Sequence, residues 1–337
     1  MLKIGVIGCG YWGTHVLRNF NNSGSWELSW MCDKNSVQLT NQKNRYPETK
    51  STEIYQDSLD DENINAVAIA TPVDSHFQIA KDALLSGKHV WVEKPLTSTL
   101  AEAEELARIA KDKNLLLNVD HTFIYTPAVQ KIKSIIESGE LGDVLYFDSV
   151  RINLGLFQHD INVIWDLAPH DLSILSYCTN KKAVSVNATG SCVVEYSGKK
   201  IENLAYVTIN FEDGSIAHFH VNWLSPVKIR KIIIGGSKKM LVFDDMENSE
   251  KIKLYDTGVS VTNKEDIYES LVQYRLGDMS SPALSNKEAL AWEVEHFAES
   301  IISGNPTLTD DNMGVEVVKI LEAANKSLRE NGKLIEL

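Results

Sequence analysis

The chain has 337 residues, 43% of them hydrophobic and 23% charged. That is too long for one simple core and ordinary for a globular protein, so two domains are expected and fibrous, disordered and low-complexity classes are excluded. Its 33 basic and 46 acidic side chains give a formal charge of −13, which disfavours nucleic acid and anionic membranes as partners.

The four cysteines, Cys9, Cys32, Cys178 and Cys192, form no CxxC pair and no metal-ligand spacing. No His/Cys/Glu set has ligand spacing and a lysine can supply the positive charge, so no metal is expected; reduced thiols fit a cytoplasmic location. Met1-Leu2-Lys3-Ile4-Gly5 leads straight into a strand, without the apolar run of a signal peptide, and no stretch is apolar enough to span a membrane.

In chain order, Leu2 to Ile7 reads as a strand, Tyr11 to Asn21 as a helix, and Leu28 to Cys32 as the next strand. Ala66-Val67-Ala68-Ile69-Ala70 is a continuous apolar run of the buried-strand type. A helix from His76 to Leu85 stops at Ser86-Gly87, His89 to Val92 is a strand, and Thr97 to Lys113 is an amphipathic helix capped by Thr99 or Ser98. Leu115 to Val119 closes a series that alternates strands with helices, the pattern of a parallel sheet.

The pattern then changes. After a helix from Pro127 to Ser138 come alternating stretches at Val144 to Asn153, Ala183 to Glu195, Asn203 to Phe211, Ser215 to Trp223, Lys228 to Gly235 and Met240 to Phe243. Asp213-Gly214 between two of them signals a hairpin. One helix, Val163 to Tyr177, interrupts the series, and two more, Asn286 to Ser303 and Asp310 to Asn331, end the chain. The expected architecture is an α/β Rossmann domain with a parallel sheet over 1–120. An α+β domain with a large, mostly antiparallel open sheet follows over 121–337, its last helix and terminal segment packing back on the first domain.

Gly8-Cys9-Gly10-Tyr11-Trp12-Gly13 follows the first strand and opens the first helix. Gly8 permits a tight turn, Gly10 lets a pyrophosphate approach backbone N–H groups, and Gly13 lets helix and strand pack closely. The helix N-terminus adds partial positive charge. Asp33, at the end of the second strand, is placed to bind the adenosine ribose hydroxyls. Its carboxylate repels a 2′-phosphate and favours NAD over NADP, although Lys34 beside it could rescue NADP.

Trp91-Val92-Glu93-Lys94-Pro95 lies at the carboxyl end of a parallel strand, where open α/β sheets place ligands. Trp165-Asp166-Leu167-Ala168-Pro169-His170-Asp171 opens the helix of the second half. Asp166 and His170 are spaced i, i+4 and share a face, an arrangement suited to acid–base work with the carboxylate orienting the imidazole.

Glu-Lys-Pro after a GxGxxG start, together with the DxxxH helix, resembles the glucose–fructose oxidoreductase / inositol dehydrogenase / MocA (Gfo/Idh/MocA) family along nearly the whole chain. Thr71, Pro72, Asp74 and His76, the run Asp120-His121-Thr122-Phe123, and Asn305-Pro306 to Glu316 match it as well. The resemblance implies that Lys94 contacts the nicotinamide ribose and polarises the hydroxyl being oxidised. It implies that His170, oriented by Asp166, takes the hydroxyl proton. It also implies that Tyr11, Trp12, Lys34, Thr71, Pro72, His76 and Glu93 join the glycines and Asp33 in holding the cofactor, and that the Lys94–Pro95 bond is cis.

Two features depart from the sugar-alcohol members: His121, and Asn162-Val163-Ile164-Trp165 in place of a glycine-rich run. Together with Tyr274-Arg275-Leu276-Gly277-Asp278 and the helix Glu293 to Phe297, the DxxxH segment looks more like members acting at C3 of nucleotide-linked sugars in surface-polysaccharide or deoxysugar pathways. His121, Arg151, Asn153, Trp165, Tyr274 and Arg275 are then substrate-binding candidates beside Lys94 and His170. Arg151, Lys228, Arg230, Lys231 and Arg275 could supply cations for a diphosphate.

The expected activity is NAD-dependent oxidation of a sugar hydroxyl. The alternatives are an NADPH-dependent 3-keto-sugar reductase and a non-catalytic dinucleotide-binding sensor. The resemblance further implies a homodimer or homotetramer through the C-terminal sheet.

Overall fold

The computed structural model describes residues 1–155, 157–158, 161–195, 198–256, 258–261 and 272–337, the side chains of 258–261 and 272–275 excepted. The chain starts with β1 (Leu2–Ile7), α1 (Tyr11–Asn22), β2 (Trp26–Cys32), α2 (Ser36–Arg45), β3 (Lys50–Thr52) and α3 (Gln56–Leu59). It continues with β4 (Ala66–Ile69), α4 (His76–Leu85), β5 (His89–Glu93), α5 (Leu100–Lys113) and β6 (Leu117–Asp120). All six strands pair in parallel in the order β3-β2-β1-β4-β5-β6, the doubly wound arrangement whose order reverses between β1 and β4.

β4 is buried at all four positions, as its unbroken apolar run requires of a strand covered on both faces. α5 begins at Thr99, whose hydroxyl accepts from the Glu102 N–H, and ends at Asn114 in the left-handed region. The sequence reading overlooked α2, β3 and α3. α2 buries only Leu39 and Gln42, so it shows no apolar stripe, and its signal is the cap: the Asn35 side chain accepts from the N–H groups of Val37 and Gln38.

The second series is α6 (Pro127–Glu137), β7 (Val144–Leu154), α7 (Val163–Thr179), β8 (Ala183–Ser191), β9 (Leu204–Phe211), β10 (Ile216–Asn222), β11 (Leu224–Gly236) and β12 (Met240–Asp244). β13 (Ile252–Tyr255), β14 (Gly258–Val261), β15 (Val272–Arg275), β16 (Met279–Ser280), α8 (Ala289–Ser303), α9 (Asp311–Arg329) and β17 (Ile335–Glu336) complete the described elements. Nine strands form one sheet, β16-β13-β12-β11-β7-β10-β9-β8-β17, antiparallel except for the β7–β10 pair.

Asp213-Gly214 makes the expected hairpin between β9 and β10, with Gly214 at φ +83 and Asp213 accepting from the Ser215 N–H. Period-two alternation buries Val207, Ile209 and Phe211 of β9 with Ala217, Phe219 and Val221 of β10. α7 packs on β7, β9 and β10. On the alternate positions Tyr206 stacks on His220 with ring centroids 4.5 Å apart.

The chain divides into two compact units, Met1–Thr126 with Lys287–Glu322, and Pro127–Asn286 with Ala323–Leu337. α8 belongs to the first. Its Leu290, Val294, Phe297 and Ala298 join Ile4, Val6, Phe20, Trp26 and Trp91 in one apolar core. The Trp26 indole stacks on Phe297 and donates to the Val294 carbonyl at 2.9 Å.

Candidate active site

The glycine run has the geometry its spacing demands. Gly8 lies at φ +97, and a Cβ there would stand 2.5 Å from the Ala70 carbonyl oxygen. A Cβ on Gly13 would run into the Gly8 carbonyl oxygen. Around Gly10, by contrast, no atom would come within 4 Å of an added Cβ. α1 starts at Gly10 with no side-chain cap and no acidic residue in its first turn, leaving a bare helix N-terminus beside open space. These features fit a dinucleotide pyrophosphate.

A pocket of about 360 Å³ opens from this loop, lined by Gly8, Gly10, Asp33, Lys34, Thr71 and Pro72 among others. Asp33 shapes it directly: its Oδ2 accepts from the Cys9 N–H at 2.7 Å and its Oδ1 from the Asn35 N–H at 2.8 Å. Three further polar side chains line the same pocket and escaped the sequence reading: Glu53, Tyr55 and Ser75. Glu53 and Tyr55 follow β3, a three-residue edge strand without any apolar alternation to announce it. Burial, with Asp33 adding, pushes the Cys9 and Cys32 thiols up to about 12, so both are packing groups.

At the far end of the same sheet edge, Lys94 leaves β5 through a cis bond to Pro95, as the resemblance implied. His76 is 1% exposed and braces this loop: Nδ1 lies 3.0 Å from the Pro95 carbonyl oxygen and Nε2 2.8 Å from that of Thr71. Both ring nitrogens are engaged with the protein, so His76 holds the Thr71 loop and the Lys94–Pro95 loop together. Burial lowers its pKa, although the two carbonyls favour the protonated form.

His121 follows β6 and is 1% exposed, with neither ring nitrogen hydrogen-bonded. Burial first, and the Lys94 charge second, lower its pKa to about 3, so it is neutral at physiological pH. Leaving two buried ring nitrogens unmatched costs about 1–3 kcal/mol each, so a donor and an acceptor, from water or from a bound molecule, would be favoured beside His121. Tyr11 is 87% exposed, whereas the Trp12 indole turns inward and donates to Asp120 Oδ2 at 2.7 Å.

In the second unit, Asn162 caps α7, its Oδ1 accepting from the N–H groups of Ile164 and Trp165. Asp166 and His170 are half-buried one turn apart, and Asp166 Oδ2 accepts from the Trp223 indole at 2.9 Å. Pro169 lies between them, inside the helix, where it removes the hydrogen bond to the Trp165 carbonyl. Trp165 is 7% exposed and Asn153 half-buried.

The cations divide by environment. Arg151 is buried and bidentate on Asp171, through Nε at 2.9 Å and Nη2 at 2.6 Å, so its charge is balanced inside the fold. Arg230 pairs with Asp245 at 3.5 Å and Lys231 with Asp244 at 3.0 Å, while Lys228 is exposed. The side chains of Tyr274 and Arg275 lie outside the described residues. Among the described residues no helix is long and apolar enough to cross a membrane.

Comparison with known proteins matches residues 2–121 to the model "Oxidoreductase family, NAD-binding Rossmann fold" and residues 129–242 to the "GFO/IDH/MocA C-terminal domain". A UDP-N-acetylglucosamine 3-dehydrogenase of Acidithiobacillus ferrooxidans is 28% identical over 265 residues, 77% of this chain and 77% of that protein. The solved structure of UDP-N-acetylglucosamine 3-dehydrogenase GnnA from Acidithiobacillus ferrooxidans shares the fold at TM-score 0.82 and 23% identity, covering 98% of each chain. GenD2 from gentamicin A biosynthesis, solved in complex with NAD, shares it at TM-score 0.83 and 20% identity, covering 100% of this chain and 96% of that one. With its glycine loop, parallel sheet and second-half sheet all accounted for, this chain belongs to the Gfo/Idh/MocA family of NAD(P)-binding oxidoreductases.

Proposed function

We propose that the protein oxidises a sugar hydroxyl with NAD, at C3 of a nucleotide-linked sugar. NAD, when bound, supplies the hydride acceptor. Lys94 binds the hydroxyl oxygen, and its ammonium stabilises the negative charge that grows there as the C–H bond breaks. His170 takes the hydroxyl proton, with Asp166 setting the face of α7 from which it works. The observation that carries the reading is the environment of Lys94: a cation at the carboxyl end of β5, close enough to the buried, neutral His121 to lower its pKa. His121 offers a donor and an acceptor to sugar hydroxyls without competing for the proton.

The choice of a nucleotide-linked sugar rests on the likeness to a UDP-N-acetylglucosamine 3-dehydrogenase. We assign Trp165 and Asn153 to the substrate, with Lys228 and Arg275 as candidates for the diphosphate. Arg151 is better understood as a structural cation holding Asp171. Copies of the chain are expected to associate through the nine-stranded sheet as a homodimer or homotetramer. Incubating the protein with NAD and a panel of UDP-, GDP- and dTDP-sugars tests the reading. NADH formation with at least one of them, and none with free inositol or glucose, is expected; the reverse preference overturns the nucleotide-sugar assignment.

NAD is the expected cofactor because Asp33 and Glu53 both line the pocket next to the glycine loop. A 2′-phosphate there would face two carboxylates, each repelling it by about 1 kcal/mol at ~4 Å in water and more where half-buried. Calorimetry should find NAD bound at least about tenfold more tightly than NADP. Equal or inverted affinities contradict the assignment.

A further inference from the structure

One carboxyl group is buried where an apolar side chain would be expected. Glu293 is 0% exposed on the face of α8 that also carries Leu290, Val294 and Phe297 into the core. Its Oε1 accepts from Asn118 Nδ2 at 3.2 Å, and Asn118 Oδ1 accepts from the Thr309 hydroxyl at 3.0 Å. Its Oε2 is buried and meets no hydrogen-bond donor. Asp120, 2% exposed and two residues beyond Asn118 at the end of β6, is the carboxyl whose charge and hydrogen bonding act on Glu293. Asp120 is already served by two donors, the Trp12 indole at 2.7 Å on Oδ2 and the Thr122 hydroxyl on Oδ1.

We propose that Asp120 and Glu293 hold one proton between them, and that this buried carboxyl pair fixes Trp12, and with it the first turn of α1, as a positioning device for the dinucleotide loop. Two adjacent carboxylates cannot both be charged in a dry site. Asp120, with two donors, is the anion. Glu293, with one amide donor and no exposure, is the acid, and its open Oε2 carries the hydrogen toward Asp120. Burial, then Asp120, raise the Glu293 pKa well above 4.5; Glu93 adds to the rise, and Asn118 opposes it. Asp120 thereby ties Trp12 of the glycine run to the strand end that also bears His121. This rests on the glycine run being the dinucleotide loop, and it is independent of the substrate.

The sign of the pH effect follows from the raised pKa. Above pH 4.5 the unfolded chain releases the Glu293 proton while the folded chain keeps it, so stability falls as pH rises toward the folded pKa. Glu293→Gln still donates to Asp120 and accepts from Asn118, but cannot ionise. Its melting temperature should therefore gain on the wild type by several degrees between pH 5 and pH 8. Asp120→Asn, which removes the neighbouring charge, should shrink the wild-type slope.

The indole N–H signal of Trp12 in 15N-tryptophan-labelled protein, assigned with Trp12→Phe, should move upfield in Asp120→Asn as a charged acceptor becomes a neutral one. Trp12→Phe, which removes the indole N–H donor and trims the ring that packs on the core, should weaken NAD binding by about tenfold in calorimetry. Parallel melting profiles for wild type and Glu293→Gln, an unmoved indole signal, or undiminished NAD affinity in Trp12→Phe overturns the proposal. A wild-type melting slope and an Asp120→Asn indole shift, in a protein that binds no NAD, would instead refute the cofactor reading above.

Discussion

Replacing Lys94 by alanine is expected to reduce turnover by about 10³-fold while NAD binding stays within about threefold of the wild type. The magnitude follows from the charge. An ammonium about 4 Å from a developing alkoxide stabilises it by ~4 kcal/mol at the effective dielectric of a partly buried site. Each ~1.4 kcal/mol is a factor of ten in rate. Most of the cofactor's contacts are expected at the glycine run and the Asp33 pocket, so its affinity survives the loss of one ribose contact. Steady-state kinetics with the true substrate, paired with calorimetry on NAD, separate the two effects. Full turnover in Lys94→Ala removes the lysine from the mechanism, and lost NAD affinity makes it a binding residue alone.

Two glycine substitutions in the same loop should fail in different ways. In Gly13→Ala the new methyl meets the Gly8 carbonyl oxygen and carbon, both backbone atoms, so the start of α1 must pull away from β1. A loss of several kcal/mol is expected, about 3 or more, as for other overpacked and backbone-strained sites. NAD affinity should fall by more than about 100-fold with it. Gly10→Ala meets no atom of the protein within 4 Å, and Gly10 lies at φ −71, where alanine is unstrained. That variant should melt with the wild type yet bind NAD at least about tenfold more weakly, because its methyl occupies the approach to the helix N-terminus. A Gly10→Ala protein with wild-type affinity would move the pyrophosphate elsewhere.

The parts of this protein legible in its sequence are those whose physics is local. β4 declares itself because a strand covered on both faces must be apolar at every position, and the β9–β10 hairpin because Gly214 tolerates the positive φ that the turn requires. The glycine loop is legible because Gly8 and Gly13 answer two separate steric demands of the backbone within six residues, with Gly10 standing open between them. α2 was not, since it packs only two side chains and is specified by the Asn35 cap.

Pairings between distant segments stayed hidden for a different reason. Arg151 on β7 looks like a cation for a substrate diphosphate until Asp171 on α7 is found against it. Nothing in the helix around Glu293 announces that its carboxyl meets Asn118 and Asp120 at the end of β6. His121 could be named as a substrate candidate from its motif, but its buried, unprotonated state depends on packing and on the charge of Lys94.

In the proposed reaction, hydride leaves C3 of a nucleotide-linked sugar for nicotinamide. The most direct test uses UDP-N-acetylglucosamine, or whichever nucleotide-sugar reduces NAD in the panel, carrying deuterium only at C3. Mass spectrometry of the reduced cofactor should show one deuterium, with a 3-keto nucleotide-sugar as co-product. Deuterium retained in the sugar while NADH still forms would place the chemistry at another carbon and contradict the account.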